Sequence, residues 1–174
     1  MPTPRPVDLP ERSLLAAVRA RGDYADCYAV DVDAHVSQAQ FVEAFYTTAL
    51  FKVERAILRV ALGSPSTDRD ARHLALGEAR EFAYWRVAQR DATQLMLTDK
   101  SGQTSSWLMA QALEAAPGAR TRLHFGSAVY ARADPKTGRR SMGAAFHALL
   151  GFHRLYSRAL LWSAARRAVR LTST

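Results

Sequence analysis

The stretch GAAFHALLGFHRLYSRALLWSAARRAVR, residues 143–170, decides the fold. Phe146, Leu149, Leu150, His153, Ser157, Leu160, Leu161, Ala164 and Ala168 recur at the spacing of one helical face. An apolar stripe therefore runs along a helix from about Gly143 to Arg170. At 1.5 Å per residue that helix spans about 42 Å, enough to cross a whole sheet. Phe152, Leu155 and Trp162 fall off the stripe on a second side. They meet either other parts of the domain or a partner.

Upstream of this helix the period is two. Residues 81–90, 93–98, 104–114 and 121–131 each read as strands, with turn residues at 99–102, 117–118 and 134–138 between or after them. Short connections predict an antiparallel meander. In the last strand Leu123, Phe125, Ser127 and Val129 share one face, against Arg122, His124, Gly126 and Tyr130. An earlier strand, 24–32, puts Tyr24, Asp26, Tyr28, Val30 and Val32 on one side.

Between these strands lies helical sequence. Ser37 with Gln40 three residues on is a capping box, and Phe41, Phe45, Ala49, Val53, Ala56 and Val60 follow at helical spacing. Residues 37–62 form either one helix or two broken near Thr47-Thr48, where adjacent β-branched residues weaken the helix. A loop at 63–67 precedes a polar stretch with room for a helical turn. A short helix is expected over 11–20, after an extended lead-in at 1–10 that carries Pro2, Pro4, Pro6 and Pro10. Helices segregated from strands make the class α+β: one domain over 1–174, in which an antiparallel β-sheet grips a long C-terminal α-helix, with a helical segment after the first strand.

Composition agrees with a globular domain, at 48% hydrophobic and 23% charged over 174 residues. The single cysteine, Cys27, excludes an internal disulfide and any multi-cysteine zinc site. Residues 1–6 lack the apolar core of a secretory signal, and no apolar run is long enough to span a membrane, so a cytoplasmic location is expected. The net charge of +8 is localised. Lys136, Arg139, Arg140, Arg154, Arg158, Arg166, Arg167 and Arg170 follow residue 135 with no acidic residue among them, while charges balance before it. Such a face attracts nucleic acid or an anionic membrane surface. An Arg-rich composition, 21 of the 24 basic residues, accounts for it equally.

The order of elements resembles the helix-grip fold of the START-like, polyketide-cyclase-like (SRPBCC) superfamily. Gly151-Phe-His-Arg-Leu-Tyr-Ser-Arg-Ala-Leu-Leu161 is similar to the Pro-Phe-His-Arg helix start of a family of uncharacterised bacterial proteins of that type, and Asp31-Val-Asp-Ala-His-Val36 also looks similar. Gly151 stands where that family has proline, and about five strands are visible where the full fold has more. The resemblance implies a cavity between sheet and helix. Members of the family occur alone or attached to a dinucleotide-binding domain. No Gly-x-Gly-x-x-Gly occurs in this chain, and no cofactor is expected.

The most pocket-like set is Arg86, Trp107, Met109, Gln111 and Phe125 on the strands, with Phe146 and His153 on the helix. Aromatic rings would supply walls, and Arg86, Gln111 and His153 would orient a ligand. The competing reading is that all seven fill the core. No metal site is expected: His147 and His153, six residues apart, stand about 240° apart round a helix and cannot chelate together. Asp31 and Asp33 could hold a cation at a strand end, and Cys27 reads as a buried structural thiol. The leading expectation is a protein that binds a small apolar or amphipathic molecule, anionic in one version. An alternative is an interaction protein whose basic, aromatic C-terminal helix meets another copy of the chain, nucleic acid or an anionic membrane. A second alternative is a cyclase- or hydrolase-like enzyme in the same pocket.

Overall fold

A computed structural model of the chain describes residues 2–114, 120–133, 140–141 and 144–172, and for 132–133, 140–141 and 144–150 it describes the backbone alone. The turns expected at 117–118 and 134–138 lie outside the described residues. In chain order the elements are β1 (Arg5–Pro6), α1 (Ala16–Ala20), β2 (Tyr24–Val32), α2 (Gln38–Tyr46), α3 (Ala49–Leu62), α4 (Asp68–Leu76), β3 (Glu81–Phe82), β4 (Trp85–Arg90), β5 (Gln94–Asp99), β6 (Thr104–Ala112), β7 (Thr121–Val129), β8 (Arg132–Ala133), β9 (Arg140–Ser141) and α5 (Ala144–Leu171).

Strands β1 to β7 form an antiparallel sheet in the order β1-β2-β7-β6-β5-β4-β3, and β8 pairs with β9 alone. The sheet exceeds the five strands that periodicity shows because β1 and β3, two residues each, are too short to carry a period. Helix α5 packs on α2, β2 and β7. Ser157, Leu160, Leu161, Ala164, Ala165 and Ala168 form its buried stripe. The alanines let the helix lie close to its neighbours, and each buried leucine contributes about 1.5–3 kcal/mol. This α+β arrangement is compatible with a helix-grip fold.

Local chemistry fixes the helix boundaries. The Ser37 side chain caps α2 and Gln40 answers it, closing the capping box. The expected break falls at Thr47-Thr48: Thr48 Oγ1 accepts from Phe51 N at 3.1 Å as the N-cap of α3. Thr47 Oγ1 donates to Glu43 O at 2.6 Å and accepts from Arg167 Nε of α5 at 2.6 Å. Two expectations are corrected. The polar stretch after the loop is a full helix, α4, capped by Thr67 with Asp70. The strand expected over 81–90 is a tight hairpin, β3 and β4, turning at Ala83-Tyr84 with Ala83 at φ +50°.

Register assigns each strand residue to a face. Directly opposed residues in an antiparallel ladder share a face, and one row joins Tyr28, Phe125, Leu108 and Leu95 beneath α2 and α5. The next row, on the opposite face, joins Cys27, Gly126, Trp107 and Met96 beneath α1, where Leu15 and Val18 cover them. Gly126 is required here. A Cβ added to it would stand 2.7 Å from Asp26 O and from Leu15 Cδ1, and 3.0 Å from Trp107 Cε3. Because the nearest atom is backbone, Gly126→Ala is expected to lose about 1–3 kcal/mol of stability in urea unfolding. An unchanged midpoint would show that β2 shifts freely.

Candidate ligand-binding cavity

The hydrophobic end of α2 and the start of α3 pack toward the sheet beside α5, and with β4, β6, β7 and α5 they line a cavity of about 350 Å³. Its apolar wall includes Phe45, Tyr46, Phe51, Trp85, Phe125 and Leu160. The rings brace one another: Phe45 lies 4.8 Å from Phe125, Tyr46 4.9 Å from Phe51, and Phe51 5.8 Å from Trp85, between centroids. Polar groups interrupt this wall at a few points, chiefly Glu54, Ser127, His153, Tyr156 and Ser157.

Two of these groups, Ser127 and His153, join a cluster centred on Asp26 of β2. Asp26 Oδ1 accepts from Ser127 N at 3.1 Å and from Ser127 Oγ at 2.7 Å. Its Oδ2 accepts from Tyr24 at 3.0 Å and from Tyr28 at 3.4 Å, and lies 3.4 Å from His153 Nε2. Burial alone would raise the Asp26 carboxyl, but hydrogen bonds from His153 and Ser127 and the charge of His153 outweigh it and hold it below the usual range. His153 Nε2 also lies 2.7 Å from Ser127 Oγ. The one Ser127 hydroxyl proton goes to the carboxylate, so His153 must be the donor in that contact. In a serine-nucleophile triad the histidine instead accepts the serine proton and the aspartate binds its other ring nitrogen. The cluster is therefore built to anchor polar groups, not to activate Ser127.

Glu54 of α3 stands on the far side, accepting from the Tyr156 hydroxyl. Burial pushes the Glu54 carboxyl up, against the lowering effects of the Tyr156 bond and of His153. Burial and the neighbouring Glu54 charge push the Tyr156 hydroxyl up as well. Ser157 differs from both. Its hydroxyl is wholly buried in the cavity wall and has no hydrogen-bond partner among the described residues.

Of the seven residues proposed from sequence, Phe125 and His153 line this cavity. Trp107, Met109 and Gln111 do not: their register puts them on the opposite face, where Trp107 packs with Leu15 and Gln111 meets His124. Arg86 pairs with Thr98 in a row of that same opposite face and is exposed, so it cannot act with His153. Phe146 falls on α5, but its side chain lies outside the described residues. Glu54, Ser127, Tyr156 and the α2–α3 rings were not foreseen. Ser127 and Asp26 were nonetheless readable as inward-facing from the alternation of β2 and β7.

Other sequence candidates have structural roles. Asp31 is held by Arg122 in a two-pronged pair at 2.6 and 2.9 Å, and Asp33 lies 3.5 Å from Arg120. Arginine thus occupies both carboxylates proposed for a cation. Cys27 Sγ sits 3.8 Å from His124 Nδ1 in the other face's core. Burial and the Asp26 charge push the thiol up to about 12, and burial with Arg122 pushes His124 down to about 4. A reactive thiolate–imidazolium pair is therefore disfavoured there. Among the described residues no group of three His, Cys, Asp or Glu could hold a metal ion, and no helix is long and apolar enough to cross a membrane. No protein-family model matches the chain, and no curated protein matches it at a significant level.

Proposed function

We propose that the protein binds a small apolar or amphipathic molecule in the cavity between the sheet and α5. Ser157 carries the reading. A buried hydroxyl without a partner costs about 1–3 kcal/mol, and of the two such hydroxyls among the described residues, Ser13 and Ser157, only Ser157 lines the cavity. A guest whose apolar body fills the ring-lined space, and toward whose polar group the Ser157 side chain turns, offsets that cost. Apolar walls with a few convergent polar groups are the usual chemistry of a ligand site. The helix-grip arrangement supports the same reading. Membership of the START-like superfamily, and with it a bacterial, cytoplasmic setting, is part of the proposal.

Ser157→Ala tests it. The variant is expected to be more stable than the parent by roughly 1 kcal/mol, because it removes a polar group with nothing to bond. It should still bind the neutral dye N-phenyl-1-naphthylamine, seen as enhanced fluorescence, and should bind decanol less tightly than the parent does. A destabilised variant, or a parent chain that binds neither compound, would overturn the reading.

A second reading is favoured by the exposed apolar residues. Phe152 and Leu155 of α5 are 67% and 68% exposed, and Val53, Ile57 and Val60 of α3 are also exposed. This supports contact with another copy of the chain, to be checked by light scattering on the parent and on Phe152→Glu. Nucleic acid or an anionic membrane is less well supported as a partner. Arg158 donates to Pro4 O and Arg167 to Thr47 Oγ1, while Arg166 covers the Trp162 ring at 4.6 Å, so these arginines serve the fold.

A further inference from the structure

Resting on the cavity reading above, we infer that the head group of the ligand is an organic cation, an amine or quaternary ammonium, received between the aromatic wall and the Glu54 carboxylate. Three observations point the same way. First, the wall is unusually rich in rings for its size: Phe45, Tyr46, Phe51, Trp85, Phe125 and Tyr156 all face one space of about 350 Å³. Ring faces carry negative potential and attract cations, most strongly where water is excluded. An apolar tail alone would be served equally by leucine and valine, yet Leu160 and Val129 are the only large aliphatic side chains among the described lining residues.

Second, the ionisable groups on the wall have the matching sign. Among the described lining residues Glu54 is the one carboxylate, and none is lysine or arginine. His153 is held against Asp26 at 3.4 Å, so any charge it carries is compensated behind the wall. Of the described arginines nearby, Arg154 and Arg158, with Arg19, line a separate cleft on the other side of Asp26. An anionic head group in the cavity would meet Glu54 without a counter-charge.

Third, Glu54 is only partly compensated by the described residues. Among the described residues it bonds the neutral Tyr156 hydroxyl, and burial outweighs that bond and the charge of His153 in opposing its ionisation. A part-buried carboxylate without a full counter-charge is costly to the free protein. A ligand ammonium would supply the missing charge, while the rings stabilise its apolar substituents.

The test compares three decyl compounds that share a tail and differ in head group: decyltrimethylammonium, decanol and decanoate, below their micelle concentrations, by displacement of N-phenyl-1-naphthylamine at pH 7. The cation is expected to bind at least about tenfold more tightly than the carboxylate, the scale of a desolvated cation–π contact. Glu54→Gln, which keeps the shape and the Tyr156 acceptor, should bring the cation down to about the affinity of decanol and leave decanol unchanged. Decanoate binding as well as the cation, or a cation affinity indifferent to Glu54→Gln, overturns the inference while leaving the cavity reading intact. Failure of the dye and all three compounds to bind the parent overturns the cavity reading itself. The head-group comparison uses the parent chain, so it stands even where the variant is poorly folded.

Discussion

Replacing Asp26 by alanine is expected to cost about 3–5 kcal/mol, a large part of the stability of a domain this size. The carboxylate is the acceptor for Ser127 N, Ser127 Oγ, Tyr24 and Tyr28, and it faces His153. All of these come from β2, β7 and α5, so the side chain ties the central strands to the gripping helix. Alanine strands several donors at once in a part-buried site, and each unmet donor carries its own desolvation cost. Urea unfolding at pH 7 measures the loss. A cost below about 1 kcal/mol would mean that the donors find water or one another easily, and that the cluster does not hold α5.

The pH dependence follows from the same carboxylate. Its folded pKa is depressed below the ordinary value of 3.8. Its contribution is therefore fully present above that ordinary value and drains away as the pH falls through the lower, folded value. The stability difference between parent and Asp26→Ala should be flat from pH 7 to about pH 5 and narrow on further acidification. Glu54 acts with the opposite sign. Its raised pKa favours folding at low pH, a contribution lost as pH rises through the folded value. A Glu54→Gln variant should thus match the parent in acid and gain on it towards neutrality.

Residues with one dominant local cause were legible in the sequence. The stripe of α5 from Ser157 to Ala168, the Ser37–Gln40 box and the weak point at Thr47-Thr48 each rest on neighbours within a turn or two, and each appears where expected; the stripe's first side chains, Phe146, Leu149 and Leu150, lie outside the described residues. Helix α4 was obscured because its buried side is small, only Ala71, Leu74 and Ala75 among charged residues. The β3–β4 turn was hidden because Ala83 adopts a positive φ that sequence normally announces with glycine or asparagine. The cavity was legible only in part. His153 and Phe125 follow from the helix stripe and the alternation of β7. Glu54 sits on a helix whose charged residues read as solvated surface, and only the approach of Tyr156, 102 residues away, makes it part of the cavity. The Asp26–Ser127 bond spans 101 residues and depends on the pairing of β2 with β7.

Strand β6 shows why the rest was out of reach, and Trp107 gives the experiment. Both faces of this strand are apolar, Leu108 and Ala110 on one and Trp107 and Met109 on the other, so alternation cannot say which side meets α5. Pairing decides it. Trp107 is wholly buried on the α1 face, and its Nε1 donates to Gln94 Oε1 at 2.9 Å. The same Gln94 oxygen accepts from Leu14 N at 3.0 Å, and Gln94 Nε2 donates to Arg12 O at 3.1 Å. The indole thus fills the outer core and steadies the side chain that pins the N-terminal segment. Trp107→Ala is expected to lose about 3–5 kcal/mol, the usual cost of deleting a buried aromatic. Binding of N-phenyl-1-naphthylamine should nonetheless survive at low temperature, where the variant remains folded, because the sheet backbone separates Trp107 from the cavity. Phe125→Ala should do the reverse, altering dye affinity directly through the cavity wall. If Trp107→Ala abolished binding while the chain stayed folded, the two faces would be coupled through the sheet, and the ligand site would extend beyond the space under α5.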